Sequence, residues 1–182
     1  MSYGWEGELV RLAPLDMEKH FENTLRWMND LDVTSTLLIG HRPMTREMQK
    51  AWFDKQLAGE ETNLVFATET LDGRHIGMCG LHDISTRHGT ATCGSFIAGP
   101  ADRGQGFGTD AARVRNRYAF VDLGLRMLLS EHFDGNEASA RMLVKAGFVE
   151  WGRLPQALWK RGRYVDEVKF YLTRERWKEL NP

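Results

Sequence analysis

The stretch Arg103-Gly104-Gln105-Gly106-Phe107-Gly108-Thr109 places three glycines where a strand-like run ends and an amphipathic run begins. Glycine lets a backbone N–H turn toward a ligand with no side chain in the way. Amides in the first turn of a helix have no intrahelical partner, and the helix dipole adds partial positive charge there. Such a junction suits a phosphate or pyrophosphate. Each charge–dipole contact contributes about 0.3–1 kcal/mol when exposed and up to about 2 kcal/mol when partly buried. No Gly-Lys-Ser/Thr follows the glycines, which rules out a P-loop. A G-x-G-x-x-G frame begun at Gly104 ends on Thr109, so the dinucleotide fingerprint fails as well. On these residues alone, a glycine-rich turn without a ligand stays open.

Two other groupings carry chemically capable side chains. Cys79, His82, His88 and Cys93 have the ligand types of a zinc site. They straddle a hairpin, however, and strand alternation would scatter them over both faces, so no metal is expected. Lys160-Arg161-Gly162-Arg163 is basic but short and falls in a hairpin turn, where a solvated turn or a rim for an acidic partner is the reading. Arg103, Arg141 and Lys145 are better placed to meet phosphates.

Further on, Asn136-Glu137-Ala138-Ser139 precedes Lys145-Ala146-Gly147-Phe148 by one helix length. With the glycine junction, this pair of segments resembles the GNAT acyltransferase superfamily, in which the Arg103–Gly108 order corresponds to the acyl-CoA pyrophosphate loop. Val10-Arg11-Leu12, Trp27-Met28-Asn29-Asp30 and Ile76-Gly77 match it too. The resemblance covers nearly the whole chain and is strongest to the branch of ribosomal-protein N-terminal (alanine/serine) acetyltransferases and related small-amine acetyltransferases.

That resemblance implies an acetyl-CoA-dependent N-acetyltransferase in which an acceptor amine attacks the thioester directly. The acceptor would be a protein N-terminus or a small amine. Phe96, Ile97, Ala98, Arg103, Gly104, Gln105, Gly106, Phe107, Gly108, Thr109, Asn136, Arg141 and Lys145 would hold the cofactor, and a backbone N–H of Phe96-Ile97-Ala98 would meet the developing oxyanion. Many members use a tyrosine to protonate the departing thiolate, and that position here is Leu143. The nearest hydroxyl of the same helix is Ser139, which becomes the candidate catalytic residue. The glutamate frequent in related enzymes on the fourth strand is replaced by Thr92. Glu131, His132, Asp83 and Asp166 could substitute, directly or through water. A lysine-like amine is neutral in only about one part in 10³ at pH 7, a barrier of about 4 kcal/mol, against about 1 kcal/mol for an α-amine. The missing tyrosine and glutamate also fit a rival reading, a CoA-binding sensor with weak or lost catalysis.

The elements that must position these groups follow from periodicity and punctuation. Strands are read at Glu8–Leu12, Leu64–Thr68, Ile76–Leu81, Thr90–Ala98, Met127–Phe133, Val149–Leu154 and Val165–Leu172. Asp16, Thr45 and Asn136 can cap helices. The first helix would turn Met17, Phe21, Leu25 and Met28 inward, and the helix after the glycines Phe107, Ala111, Val114, Tyr118 and Val121. A loop runs around Gly40 and Pro43, and most tryptophans should be core, with Trp27 and Trp159 bordering an acceptor cleft. The result is an α/β fold, a single domain over residues 1–182 with a mixed, mostly antiparallel twisted sheet flanked by helices.

Composition bounds the rest. At 182 residues, 42% hydrophobic and 27% charged, the chain excludes disorder and collagen-like sequence. A formal charge of −1 gives no basic field for nucleic acid or an anionic membrane. Two cysteines are too few for a disulfide framework and read as reduced thiols. The opening Met1-Ser2-Tyr3-Gly4-Trp5-Glu6 lacks the marks of a secretory signal, and no apolar run reaches the roughly 18–20 residues of a membrane helix. A cytoplasmic monomer or homodimer is expected.

Overall fold

A computed structural model describes residues 5–39 and 42–182. The expectations at Met1–Gly4 and Gly40 lie outside them. The chain runs β1 (Val10–Pro14), α1 (Met17–Met28), α2 (Leu31–Thr34), α3 (Arg46–Leu57), β2 (Leu64–Thr70), β3 (His75–Ser85), β4 (Thr90–Ile97), α4 (Phe107–Arg117), β5 (Met127–Phe133), α5 (Glu137–Lys145), β6 (Val149–Lys160), β7 (Arg163–Thr173) and α6 (Arg174–Leu180). The strands form one sheet in the order β1-β2-β3-β4-β5-β7-β6, antiparallel throughout except for the parallel pair β4–β5. β3, within the sheet, carries helices on both faces. Thr24 of α1 reaches Met78, whereas Cys79, the next residue, lies under Ala111 of α4.

The parallel pair is short. Its register runs from Thr90↔Met127 to Cys93↔Ser130 and stops there. Beyond that point β4 continues on β3 alone and β5 on β7 alone, so the sheet opens into a split. Ser130 Oγ donates to Cys93 O (3.1 Å), and a side chain thereby caps the ladder at its last pair. On the other side of β4, Gly77 must be glycine: a Cβ there would stand 2.0 Å from the Phe96 carbonyl. That close approach holds the free part of β4 against β3.

Caps and turns are where the sequence placed them. Asp16 accepts from Glu18 and Lys19 N–H, Thr45 from Met48 N–H and Asn136 from Ser139 N–H. Several details differ. The inner face of α1 is His20, Phe21, Thr24 and Trp27, not a stripe through Leu25 and Met28. Val121 is 62% exposed because α4 passes into a π-type turn, with Leu123 N–H bonded to Tyr118 O (3.1 Å). The wider turn shifts the periodicity and turns Ala119 and Phe120 inward instead. Trp151 is exposed, correcting its place in the core, and α2 and α6 add short helices.

Polar burial on α1 is internally matched. His20 Nδ1 accepts from Asp16 N–H and Nε2 donates to Glu69 Oε1, both at 2.9 Å, while Arg11 holds the other Glu69 oxygen at 2.8 Å. Burial pushes the Glu69 carboxyl up, but the bonds from His20 and Arg11 outweigh it and leave it below the usual range. His75 packs on both His20 and Trp27 at 4.5 Å, and its Nε2 donates to Gly77 O (2.9 Å). Desolvation holds its pKa down to about 4 from the ordinary 6.5. In the unfolded chain the same imidazole takes up a proton as pH falls below 6.5, so between there and about 4 the unfolded state binds more protons and stability drops. The melting temperature should therefore fall across that window more steeply in the parent chain than in His75→Phe, which keeps the ring packing. Parallel curves would show that His75 does not titrate as placed.

Candidate active site

The glycine junction forms a cradle at one end of the split. Gly104 and Gly106 have φ of +79° and +92°, backbone that side-chain-bearing residues rarely adopt. Gly106 is the N-cap of α4, and the first helical bond is Asp110 N–H to Gly106 O (3.0 Å). The N–H groups of Phe107, Gly108 and Thr109 precede it and have no partner within the helix. Gln105 sits exposed between the two strained glycines, and Phe107 packs its ring toward Val10 and Leu12, leaving only its amide to the cradle.

Asp110 is a residue the sequence reading missed. A carboxylate in the first turn of α4 would oppose an anion, but this one is buried and turned away. It accepts from Glu8, Leu9 and Val10 N–H at 3.2, 2.8 and 3.0 Å. It thus ties the helix start to the start of β1 and leaves the cradle's positive end uncompensated. The signal was present, an acid two residues beyond the last glycine, but its partners lie about a hundred residues away.

On β4, Ala98 N–H bonds Ile76 O (2.9 Å), so alternation turns Phe96 and Ala98 toward β3 and the Ile97 and Ser95 N–H groups into the split. Of the three candidate oxyanion donors, Ile97 has the suitable direction. Arg103 does not extend toward solvent. Its Nε donates to Ile97 O (3.0 Å), and its terminal nitrogen to Ala98 O (2.8 Å) and Asp32 O (3.2 Å). Arg141 and Lys145 are exposed on α5, with Arg141 loosely paired to Glu137 at 4.0 Å.

α5 follows β5 directly. Asn136 accepts from Ser139 N–H (3.2 Å) with Oδ1 and donates from Nδ2 to Thr36 O (3.0 Å). Ser139 is half-buried at the third position of the helix, its backbone rather than its hydroxyl engaged in the cap. Leu143 is buried in the core with Ala112, Phe148 and Phe170, so an apolar side chain occupies the position at which the resemblance implied a tyrosine.

One segment crosses the open end of the split. Arg103 bonds Asp32 O, Asn136 bonds Thr36 O, and the Lys160 ammonium bonds Leu37 O. Lys160 is 7% exposed and stands 5.4 Å over the Phe133 ring, which corrects its reading as part of a solvated turn. Burial and the neighbouring Arg161 lower its pKa. Trp27, Phe96, Val33 and Ala98 pack behind this strap, and Trp159 borders a depression of about 210 Å³ with Leu38, Leu158 and Lys160. Asn136→Ala should lose about 0.5–2 kcal/mol of stability with the cap. It should also lose about tenfold or more in kcat/KM, because the strap is freed and positioning within an ångström matters to rate. Steady-state assays at a temperature where the variant is folded separate the two, and intact kcat/KM would reduce Asn136 to a cap.

The remaining candidate bases are dispersed. Glu131 pairs with Lys169 (3.0 Å), Asp166 accepts from Gln156 N–H (2.9 Å), and Asp83 is exposed near the β3–β4 turn; Thr92 lies within the closed part of the sheet. His132, two residues past the last β4–β5 pair, is buried against the Phe170 ring. Cys79 and Cys93 are buried, desolvation pushing both thiols up, Cys93 to about 11. Among the described residues no group of three His, Cys, Asp or Glu side chains could hold a metal ion, and no helix is long and apolar enough to cross a membrane.

A split parallel pair with a phosphate-type cradle at its edge defines an acyl-transfer fold. A family model described as an acetyltransferase (GNAT) domain matches residues 10–149, and the chain belongs to that family of acetyltransferases. It is 28% identical over 183 residues to an SPbeta prophage-derived uncharacterized N-acetyltransferase of Bacillus subtilis (strain 168), covering 97% of this chain and 96% of that one. To the spermidine N(1)-acetyltransferase of Vibrio cholerae it is 27% identical over 112 residues, 62% of this chain and 64% of that one. A crystal structure of the spermidine N-acetyltransferase from Vibrio cholerae in complex with CoA and spermine superimposes with a TM-score of 0.85 at 20% identity, over 93% of this chain and 98% of that one.

Proposed function

We propose that this enzyme transfers the acetyl group of acetyl-CoA directly to a primary α-amine, such as a peptide N-terminus, at the mouth of the β4–β5 split. The observation that carries this is the alignment of the cradle at Gly104–Thr109 with the free N–H edge of β4 at Ser95 and Ile97. Acetyl-CoA fits that pair of features. Its pyrophosphate suits the cradle amides, with Arg141 and Lys145 within the reach of flexible phosphates on the outer side of α5. Its pantetheine amides suit an unpaired strand edge. Bound there, it supplies the activated thioester. Ile97 N–H then stabilises the oxyanion that forms when the amine attacks, and Ser139 hydrogen-bonds the departing thiolate.

The acceptor side favours a single amine over a polycation. Lys160 and Arg103 place two positive charges at the mouth. A further like charge about 4 Å away costs about 1 kcal/mol in water and about 4 kcal/mol at an effective dielectric of 20. An α-amine also reaches its neutral form more easily than a polyamine nitrogen. Thiol release from acetyl-CoA over a panel of peptides, spermidine, spermine and aminoglycosides tests this. Peptides should give the highest kcat/KM. Preference for spermidine would overturn the acceptor assignment, and CoA binding without thiol release for any amine would leave a CoA-binding module.

A further inference from the structure

The tip of the β6–β7 hairpin gathers positive charge that the enzyme does not itself neutralise. β5 pairs with β7 only as far as Phe133↔Glu167, and the hairpin runs on alone past the open end of the split. Its turn is Arg161-Gly162, closed by the pair Lys160↔Arg163. Residues directly opposite share a face, and like charges so placed destabilise a hairpin. Arg161 adds a third cation between them. Its φ of +50° lies in the left-handed region, which Asn or Gly fills more readily in a two-residue turn. Neither the ladder nor the turn accounts for three cations here. Their partners are neutral: Lys160 donates to Leu37 O, Arg161 touches Ser35 Oγ at 3.5 Å, and Arg163 is exposed. Among the described residues no carboxylate pairs with any of the three, whereas Arg153 on the same strand is held by Glu150 (2.9 Å) and Asp134 (3.2 Å). Glu131 and Glu167, on the face that Lys160 covers, are both taken by Lys169 at 3.0 and 2.8 Å. Between this tip and the split lies the depression of about 210 Å³ bordered by Leu38, Leu158, Trp159 and Lys160.

We propose that Arg161 and Arg163 bind carboxylates of the acceptor, which makes the acceptor a polypeptide with an acidic N-terminal segment. The inference rests on the acetyl-transfer reading above and names the substrate class of that site. The α-amine enters the split, and an apolar side chain near the start of the acceptor occupies the depression. Acidic side chains further along then meet the two arginines, whose planar forks suit carboxylates. From Glu167 to Arg163 the hairpin advances by about 13 Å at 3.3 Å per residue. An extended peptide covers that distance in about four residues. The acids therefore fall at about the fourth and fifth positions of the acceptor. Lys160 stays with the strap and adds to the positive field of the mouth without gripping the peptide.

The test uses three peptides alike except at positions four and five, which are Glu, Gln or Lys, assayed by thiol release from acetyl-CoA. The parent enzyme should prefer the Glu peptide over the Gln peptide by about fivefold or more in kcat/KM at low ionic strength. The difference should sit in KM and shrink as salt rises. Arg161→Glu combined with Arg163→Glu should reverse the order, with the Lys peptide above the Glu peptide. Arg161→Asn, a residue that suits the turn, should melt no lower than the parent and narrow the preference. Arg87→Glu, on the exposed turn at the far end of the sheet, should keep it. Equal kcat/KM for the Glu and Gln peptides in the parent overturns the proposal, as does a Glu preference that stays undiminished in Arg161→Asn or in the double variant. Calorimetry separates this failure from that of the reaction. A Glu peptide that binds more tightly than the Gln peptide yet releases no thiol contradicts the acetyl-transfer reading and leaves the arginines as a carboxylate site.

Discussion

Ser139→Ala should turn over ten- to a few-hundred-fold more slowly than the parent enzyme, an order-of-magnitude expectation set by comparison with lost oxyanion donors of about 2.7–4 kcal/mol. Leu143 is a core leucine where the resemblance implied a tyrosine acid, and Ser139 one turn earlier is half-buried with its hydroxyl not engaged in the cap. A serine is too weak an acid to give up its proton fully, so its contribution is a hydrogen bond to the developing thiolate. That bond strengthens only as the C–S bond breaks. KM for acetyl-CoA should hence barely move while kcat falls, the pattern of a contact made in the transition state. Normal kcat where chemistry limits turnover would show that Ser139 serves the helix alone, with solvent protonating the thiolate.

Gly106→Val should bind CoA at least about tenfold more weakly, about 1.4 kcal/mol, while remaining folded. At φ +92° a β-branched residue strains the backbone, and its Cβ would come 3.2 Å from Leu9 Cδ1. The leucine end can shift aside, so the fold tolerates the change better than the cradle does. What is lost is the direction of the first amides of α4 and the close backbone approach of an anion. Calorimetric titration with CoA, beside a thermal melt, reads both. Unchanged affinity in a folded variant would remove the cradle from the cofactor site.

Residues whose type dictates a local conformation were legible. Gly73, Gly89, Gly124 and Gly147 all have positive φ and stand in turns where elements end, which their residue type alone suggests. The side chains of Asp16, Thr45 and Asn136 accept the helix-start amides that the capping pattern requires. Features that depend on distant partners were not legible. The β4–β5 split comes from where a ladder stops, and nothing local to Cys93 or Ser130 marks that point. His20 and Thr24 are polar, yet α1 buries them because Glu69 and Met78 are there to receive them. Lys160 read as a solvated turn residue because its acceptor, Leu37 O, lies 123 positions away. At the candidate site, the strained glycines of the junction and the Asn136 cap could be read from local residue types. Asp110 and the strap over residues 32–37 required the fold.

Amide hydrogen exchange with and without CoA tests the central claim most directly, since it reads the cradle and the β4 edge in one experiment. The account predicts that the amides of Gly104 through Thr109, together with Ser95 and Ile97, exchange quickly in the free enzyme and slow on saturation with CoA. The amides of Phe96 and Ala98, already bonded to β3, should change little. Protection confined to another part of the surface, or none at Ile97 and the cradle while CoA is bound, would contradict it.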